Sequence, residues 1–319
     1  MHRRTFLAAS GGSALAQFLP ARADAADASL DVAGFTAARR MLDTRFGRIA
    51  YVERGRGPAA LFLHAYPLNG YEWRAALPRL AGRRRCIAPD FMGLGYSEIP
   101  DGQDLSPPAQ ADMLAALLDG LQIKSADIVA NDSGGMIAQL FAARHPRRAR
   151  SLLLTNCDVG ADNPPKAFQS LVAAARAGTL PDQFLASQLA DLSLARSQRG
   201  LGLAYARPAE LTQAAVDYYL RPMLSTPLRR RQFDDYTVTL GENVLLAVEP
   251  DLKRFPGPVR IVWGAADTFF DPRSPERLDR TFPNSRGVRR VPEGKLYVAE
   301  EFPEVIAEEA RALWAARRA

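Results

Sequence analysis

Along the chain, short apolar runs alternate with stretches whose apolar residues recur every three or four positions. Arg48-Ile-Ala-Tyr-Val-Glu53 and Ala59-Ala-Leu-Phe-Leu-His64 read as strands, separated by the turn signal Gly55-Arg56-Gly57-Pro58. An amphipathic stretch from Trp73 to Leu80 leads to a buried strand, Arg85 to Asp90. The stretch from Pro107 to Leu121 then puts Met113, Leu114, Leu117, Leu118 and Leu121 on one helical face, and Ala126 to Ala130 is again strand-like. A helix from Gly135 to Arg144, with Ile137, Leu140 and Phe141 on one side, and a strand from Ala149 to Thr155 continue the pattern.

From residue 159 to residue 232 the alternation stops. This segment holds only Ala-, Leu- and Arg-rich helical stretches, broken by Pro164, Pro165, Pro181, Pro208, Pro222 and Pro227. Strand and helix alternate again from Pro258 to Gly264, through a helix beginning at Pro275 and a strand near Gly287 to Val291. The last helix, opened by Pro303, puts Ile306, Ala310, Leu313 and Trp314 on one face. Repeated strand–helix alternation predicts an α/β fold with a mainly parallel sheet flanked by helices. The core would comprise 34–158 and 233–319, with 159–232 as an inserted helical cap.

Composition adds a leader to this picture. Met1-His-Arg-Arg-Thr-Phe6 precedes a short apolar, Gly- and Ala-rich stretch ending in Ala21-Arg22-Ala23. Residues 1–23 resemble a twin-arginine export signal, implying a periplasmic protein, and 24–33 read as a flexible leader. The apolar stretch is too short for a membrane span. Arg3, Arg4 and Arg22 carry half of the formal charge of +6, and the remainder is too small and dispersed to point to nucleic acid. The run Arg83-Arg84-Arg85 reads as a solvated loop. Two cysteines, Cys86 and Cys157, fall on different strands and read as buried thiols, and three histidines without close spacing offer no metal site. No cofactor is expected.

The candidate chemistry lies where the strand ending at Ala130 meets a helix through Asn131-Asp132-Ser133-Gly134-Gly135. Such a turn lifts one side chain out of the sheet at a helix N-terminus, where N–H groups stabilise negative charge. The small-x-nucleophile-x-small spacing centres on Asp132; centring on Ser133 would put Asn131 at a position that calls for a small residue. An aspartate in such a sequence is also an ordinary helix cap.

Two further loops, Leu63-His-Ala-Tyr-Pro67 and Cys86-Ile-Ala-Pro-Asp-Phe-Met-Gly-Leu-Gly-Tyr-Ser97, follow earlier strands. With the elbow, they resemble the α/β-hydrolase superfamily across nearly the whole chain after the leader. The resemblance implies an eight-stranded, mainly parallel sheet and an oxyanion hole made by the backbone N–H groups of Tyr66 and Ser133. An aspartate at the elbow is similar to the haloalkane dehalogenase and epoxide hydrolase branch, whose carboxylate attacks an sp³ carbon to give an alkyl-enzyme ester. A carboxylate is normally ionised at neutral pH and needs no base for that step. Asp267, in Gly264-Ala-Ala-Asp267, stands where the branch has its acid.

The resemblance also implies a catalytic histidine seven residues before the proline that opens the last helix, and here this sequence departs from the pattern. Seven residues before Pro303 the chain has Leu296, in Glu293-Gly-Lys-Leu-Tyr-Val298. His2 lies in the leader and His145 at the far end of the elbow helix, so only His64 is near the site. Lys295 on a strand would face away. Ser133 replaces the tryptophan expected after the nucleophile, and Trp73, Trp263 and Trp314 fall outside elbow and cap. Tyr205, Tyr218 and Tyr219 are available in the cap as donors to an epoxide oxygen. We take His64, Asn156, Asp158, Tyr218 and Tyr219 as candidate pocket residues. The sequence thus supports a hydrolase acting on a small, largely apolar substrate through Asp132. It leaves open a non-hydrolytic lyase, isomerase or ligand-binding protein of the same fold, and a Ser133 esterase.

Overall fold

A computed structural model describes residues 29–315. Its centre is an eight-stranded sheet in the order β1-β2-β4-β3-β5-β6-β7-β8. The strands are β1 (Arg39–Thr44), β2 (Gly47–Arg54), β3 (Ala59–Leu63), β4 (Arg85–Pro89), β5 (Ala126–Asp132), β6 (Ala149–Cys157), β7 (Val259–Gly264) and β8 (Ser285–Val291). β2 pairs antiparallel with β1 and β4, and every other pairing is parallel. Helices cover both faces, so β3 and β5 are buried along their whole length, and their sequences are near-continuous apolar runs.

Around the sheet run α1 (Val32–Ala38), α2 (Ala76–Leu80), α3 (Pro107–Gly120) and α4 (Ser133–Arg144). Between β6 and β7 lie α5 (Gln169–Arg176), α6 (Ser187–Ala190), α7 (Leu192–Arg196), α8 (Gln213–Leu220), α9 (Pro227–Thr239) and α10 (Glu249–Leu252), joined by short 3-10 turns and, before α6, a π-helical stretch at Pro181–Ala186. After β7 come α11 (Ser274–Thr281), α12 (Val298–Glu301) and α13 (Pro303–Ala315). Among the described residues no helix is long and apolar enough to cross a membrane.

The structure moves several sequence-based boundaries. β1 is an additional strand at the sheet edge. Its charged Arg39, Arg40 and Asp43 hide the alternation of a strand, and such charges also discourage pairing with another chain. The end of the expected leader is helical: Asp31 caps α1 by accepting from the Gly34 N–H, and Phe35 buries its ring edge-on to Tyr71 and Tyr218. Residues 1–23, the expected signal, and 24–28 of the leader lie outside the described residues. At the other end of the cap, residue 232 falls inside α9, where Thr226 and Pro227 start one continuous helix to Thr239.

The sharpest local constraint is the β5–α4 turn. Asp132 has φ 52° and ψ −127°, a conformation that costs a non-glycine residue energy. The turn closes because the two residues after Ser133 have no side chain. A Cβ on Gly134 would sit 2.5 Å from the Leu63 carbonyl oxygen, and one on Gly135 would fall inside contact distance of the Cys157 Cβ. Cys86 and Cys157 are both buried free thiols. Gly135→Ala is expected to lower stability by roughly 1–3 kcal/mol, the usual cost of overpacking, read as a fall in denaturant midpoint at unchanged slope.

Candidate active site

Asp132 stands at the carboxyl end of β5, buried at 6% exposure, and lines a cavity of about 250 Å³ between sheet and cap. Its Oδ2 accepts the Tyr66 backbone N–H at 2.9 Å, and the Ser133 N–H at the start of α4 also favours the charged carboxylate. The two donors expected to form an oxyanion hole thus converge on the Asp132 side chain itself. The cavity walls are largely apolar, with Met136 of α4, Phe168, Phe184, Leu240 and Phe269. Ala167, Ser170, Gln198 and Arg199 are exposed and form its mouth.

Beside the Tyr66 donor lies a buried brace. Glu72 accepts the Ala65 N–H at 2.7 Å on one oxygen and Asn131 Nδ2 at 2.7 Å on the other, while Thr155 Oγ1 donates to Asn131 Oδ1 at 2.6 Å. The oxyanion loop, the elbow and β6 are therefore tied through one carboxyl. Burial pushes Glu72 well above the usual carboxylate range, and no ion pair among the described residues relieves it. The sequence reading missed this residue, an acid flanked by Tyr71 and Trp73 in a run that the structure buries throughout.

Charge at the cavity floor is one-sided. Burial raises Asp158 to about 6, while burial together with the Asp158 carboxylate raises Asp132 to about 8. Desolvation and a like charge thus hold Asp132 well above the range in which an exposed aspartate ionises. Asp267 is also raised by burial, against the pull of Phe269 N–H at 3.0 Å, Phe270 N–H at 3.4 Å and Asn156 Nδ2 at 3.1 Å.

The structure brings together only part of the expected set. Asp132, Ser133, Tyr66, Asp158 and Leu296 all line the cavity, joined by Tyr297, which the sequence reading passed over. The Tyr297 hydroxyl donates to the Tyr66 carbonyl at 2.8 Å, in the peptide unit that follows the one whose N–H holds Asp132. His64 is not a pocket residue. Its Nε2 accepts the Phe91 N–H at 3.0 Å, its Nδ1 donates to the Ala65 carbonyl at 2.9 Å, and burial lowers it to about 4, so it is a neutral structural link. His145 binds Asp112 at the other end of α4, and His2 lies outside the described residues.

Asn156 is likewise structural, clasping Gly264 with both amide atoms and handing one hydrogen bond to Asp267. Tyr218 and Tyr219 do not reach the cavity: their hydroxyls accept from Arg39 and Arg74, while Tyr205 donates to Glu300. Lys295 sits in the loop after β8 rather than on a strand. Leu296 and Tyr297 occupy the region where the histidine was sought. Two buried hydroxyls near the cavity, on Ser133 and on Tyr236 of α9, have no partner among the described residues other than each other.

Comparison with known proteins gives the family. The model for the alpha/beta hydrolase fold matches residues 58–301. The chain belongs to this family. It is similar to haloalkane dehalogenase 2 of Mycobacterium tuberculosis, at 27% identity over 84% of this chain and 92% of that protein. It is also similar to cis-3-alkyl-4-alkyloxetan-2-one decarboxylase of Xanthomonas campestris, at 28% identity over 88% of this chain and 96% of that one. Among solved structures, an alpha/beta hydrolase fold protein from Burkholderia ambifaria superposes with a TM-score of 0.74 at 26% identity, covering 89% of this chain and 98% of its own.

The raised Asp132 makes a stability prediction. The ordinary aspartate value is 3.8, and in the folded α/β hydrolase it is about 8, so the folded state holds this proton more tightly. Stability from the neutral side chain is therefore fully present at acid pH and is lost as pH rises from about 4 through about 8. Asp132→Asn is expected to be more stable than wild type by roughly 1–3 kcal/mol at pH 9, the scale of a buried group left incompletely compensated. The gain should shrink as pH falls toward 4, measured as the difference in Tm between the two proteins.

Proposed function

We propose that this α/β hydrolase attacks an sp³ carbon of a small, largely apolar substrate through the Asp132 carboxylate, giving an alkyl-enzyme ester that water then cleaves. The observation that carries this reading is the aspartate at the strained elbow, its carboxyl held by the Tyr66 N–H at the floor of an apolar cavity. Attack requires the carboxylate. The Tyr66 and Ser133 N–H groups and the N-terminus of α4 favour that form, while burial and Asp158 oppose it. A carboxylate whose proton leaves near pH 8 is a more basic, less solvated nucleophile than an exposed one. Haloalkanes and oxetan-2-ones, named in the similar proteins, both contain an sp³ carbon bonded to a leaving atom. A Ser133 esterase is disfavoured, since among the described residues no histidine or carboxylate accepts from the Ser133 hydroxyl.

A second reading has its own support. Two carboxyls pushed apart to about 8 and about 6 form an acid and a base at neutral pH, which suits a lyase or isomerase with no covalent step. Export to the periplasm through residues 1–23 remains part of the proposal.

The experiment is acid quench and intact-mass measurement after mixing with 1-bromobutane, 1,2-epoxyhexane or an alkyl ester. Wild type is expected to gain one alkyl or hydroxyalkyl group on the Asp132 peptide, and Asp132→Asn none. The rate of gain should climb with pH and level off above about 8, where the carboxylate forms. Turnover that survives in Asp132→Asn refutes Asp132 in both roles, whereas turnover that depends on Asp132 without any gain in mass leaves proton transfer, which solvent-deuterium incorporation into product would reveal.

A further inference from the structure

Without an imidazole, the ester formed on Asp132 needs another group to activate water. Parallel pairing of β5 and β6 sets Asp132 opposite Cys157, the last residue of β6, so Asp158 is the first residue beyond the end of the neighbouring strand. Adjacent strands lie about 5 Å apart, and the Asp158 charge is felt at Asp132 across that gap. Both line the same cavity.

Asp158 is also held in place. Asn163 Nδ2 donates to its Oδ1 at 2.9 Å, and Asn163 is fixed in turn by the Val244 N–H, which donates to its Oδ1 at 3.2 Å. Asn163 is the one side-chain donor Asp158 meets among the described residues, so the carboxyl keeps capacity to accept a proton from the cavity. The titratable groups that sense its charge are Asp132 on the elbow, Cys157 beside it on β6 and Tyr236 of α9. None of them is a cation, and none is an imidazole that would take the proton first.

We propose that Asp158 is the general base for hydrolysis of the Asp132 ester, standing in for the histidine that Leu296 excludes. This rests on the reading of Asp132 as nucleophile. A water oxygen bonds to the ester carbon of Asp132 while one of its protons passes to Asp158. The carbonyl electron pair moves onto the oxygen facing the Tyr66 and Ser133 N–H groups. Collapse restores the carbonyl and breaks the bond to the alkyl oxygen, which leaves with its electron pair and takes the proton back from Asp158 as the alcohol. Asp132 is left as the acid. Alkylation also removes the charge of Asp132, so Asp158 faces a neutral ester when it works, and with a value of about 6 it is ionised at neutral pH.

The test follows ester formation and ester breakdown separately, by quenched intact mass with 1-bromobutane as probe. In Asp158→Asn the ester should form and persist, its breakdown slowed roughly 10²–10⁴-fold, the usual worth of a general base. In wild type, breakdown should rise with pH through about 6 and formation through about 8. Formate added to Asp158→Ala should restore part of the breakdown rate, and Asp158→Glu should retain part of it, which a merely structural side chain would not produce. Melting curves establish that each variant is folded. Breakdown in Asp158→Asn at the wild-type rate overturns the role of Asp158 alone, as does a lack of any response to formate. Turnover surviving in Asp132→Asn removes the nucleophile and this inference with it.

Discussion

Burial of the central strands on both faces is the constraint from which the site follows. β3 and β5 have no exposed position, and β6 has only one that is partly exposed, so polar groups collect at the sheet edges and strand ends. At the carboxyl ends the chain must leave the sheet, and the loops there bring Tyr66, Asp132, Asp158 and Asp267 into one region. Asp127, buried lower on β5, shows what a charge inside the sheet requires: Arg84, Arg150 and Ser151 all bond it. The cavity aspartates have no such partners. The difference separates a structural charge, fully matched, from charges whose protonation is left adjustable.

Much of this was legible in the chain because parallel strands buried on both sides are written as unbroken apolar runs. The elbow was legible because Gly134 and Gly135 mark a crowded turn, and Asp132 sits at the spacing such a turn dictates. β1 was not, since an edge strand faces solvent and its charges resemble a loop. Tyr218 and Tyr219 looked like pocket donors because their sequence positions are in the cap. Their hydroxyls are taken by Arg39 and Arg74, partners more than 140 residues away that no local pattern reveals. Asp158 was legible as a polar residue past a core strand, but its register beside Asp132 depends on strand pairing. Glu72 was hidden for a similar reason: its partners come from the oxyanion loop and the elbow.

The region that lacks a histidine has a different kind of order. Tyr297 supports the Tyr66 peptide through its carbonyl, and Glu72 supports the same loop through the Ala65 N–H. Together they fix the direction of the N–H that meets Asp132. The Tyr66 donor is thus braced from two sides, by Tyr297 and Glu72. Rigid donors stabilise developing charge without reorganising when it appears.

The same stretch also joins sheet to cap. The Tyr297 N–H donates to the Ala204 carbonyl, Glu301 accepts the N–H groups of Ala206 and Arg207, and Glu300 binds both Arg74 and Tyr205. This seam is stitched by backbone bonds and a half-buried ion pair, whereas Ala167, Ser170, Gln198 and Arg199 are open to solvent across the cavity. The rim of the cavity is therefore of two kinds: solvent-exposed side chains just before and within α5 and just after α7, and a hydrogen-bonded seam at Leu296 and Tyr297.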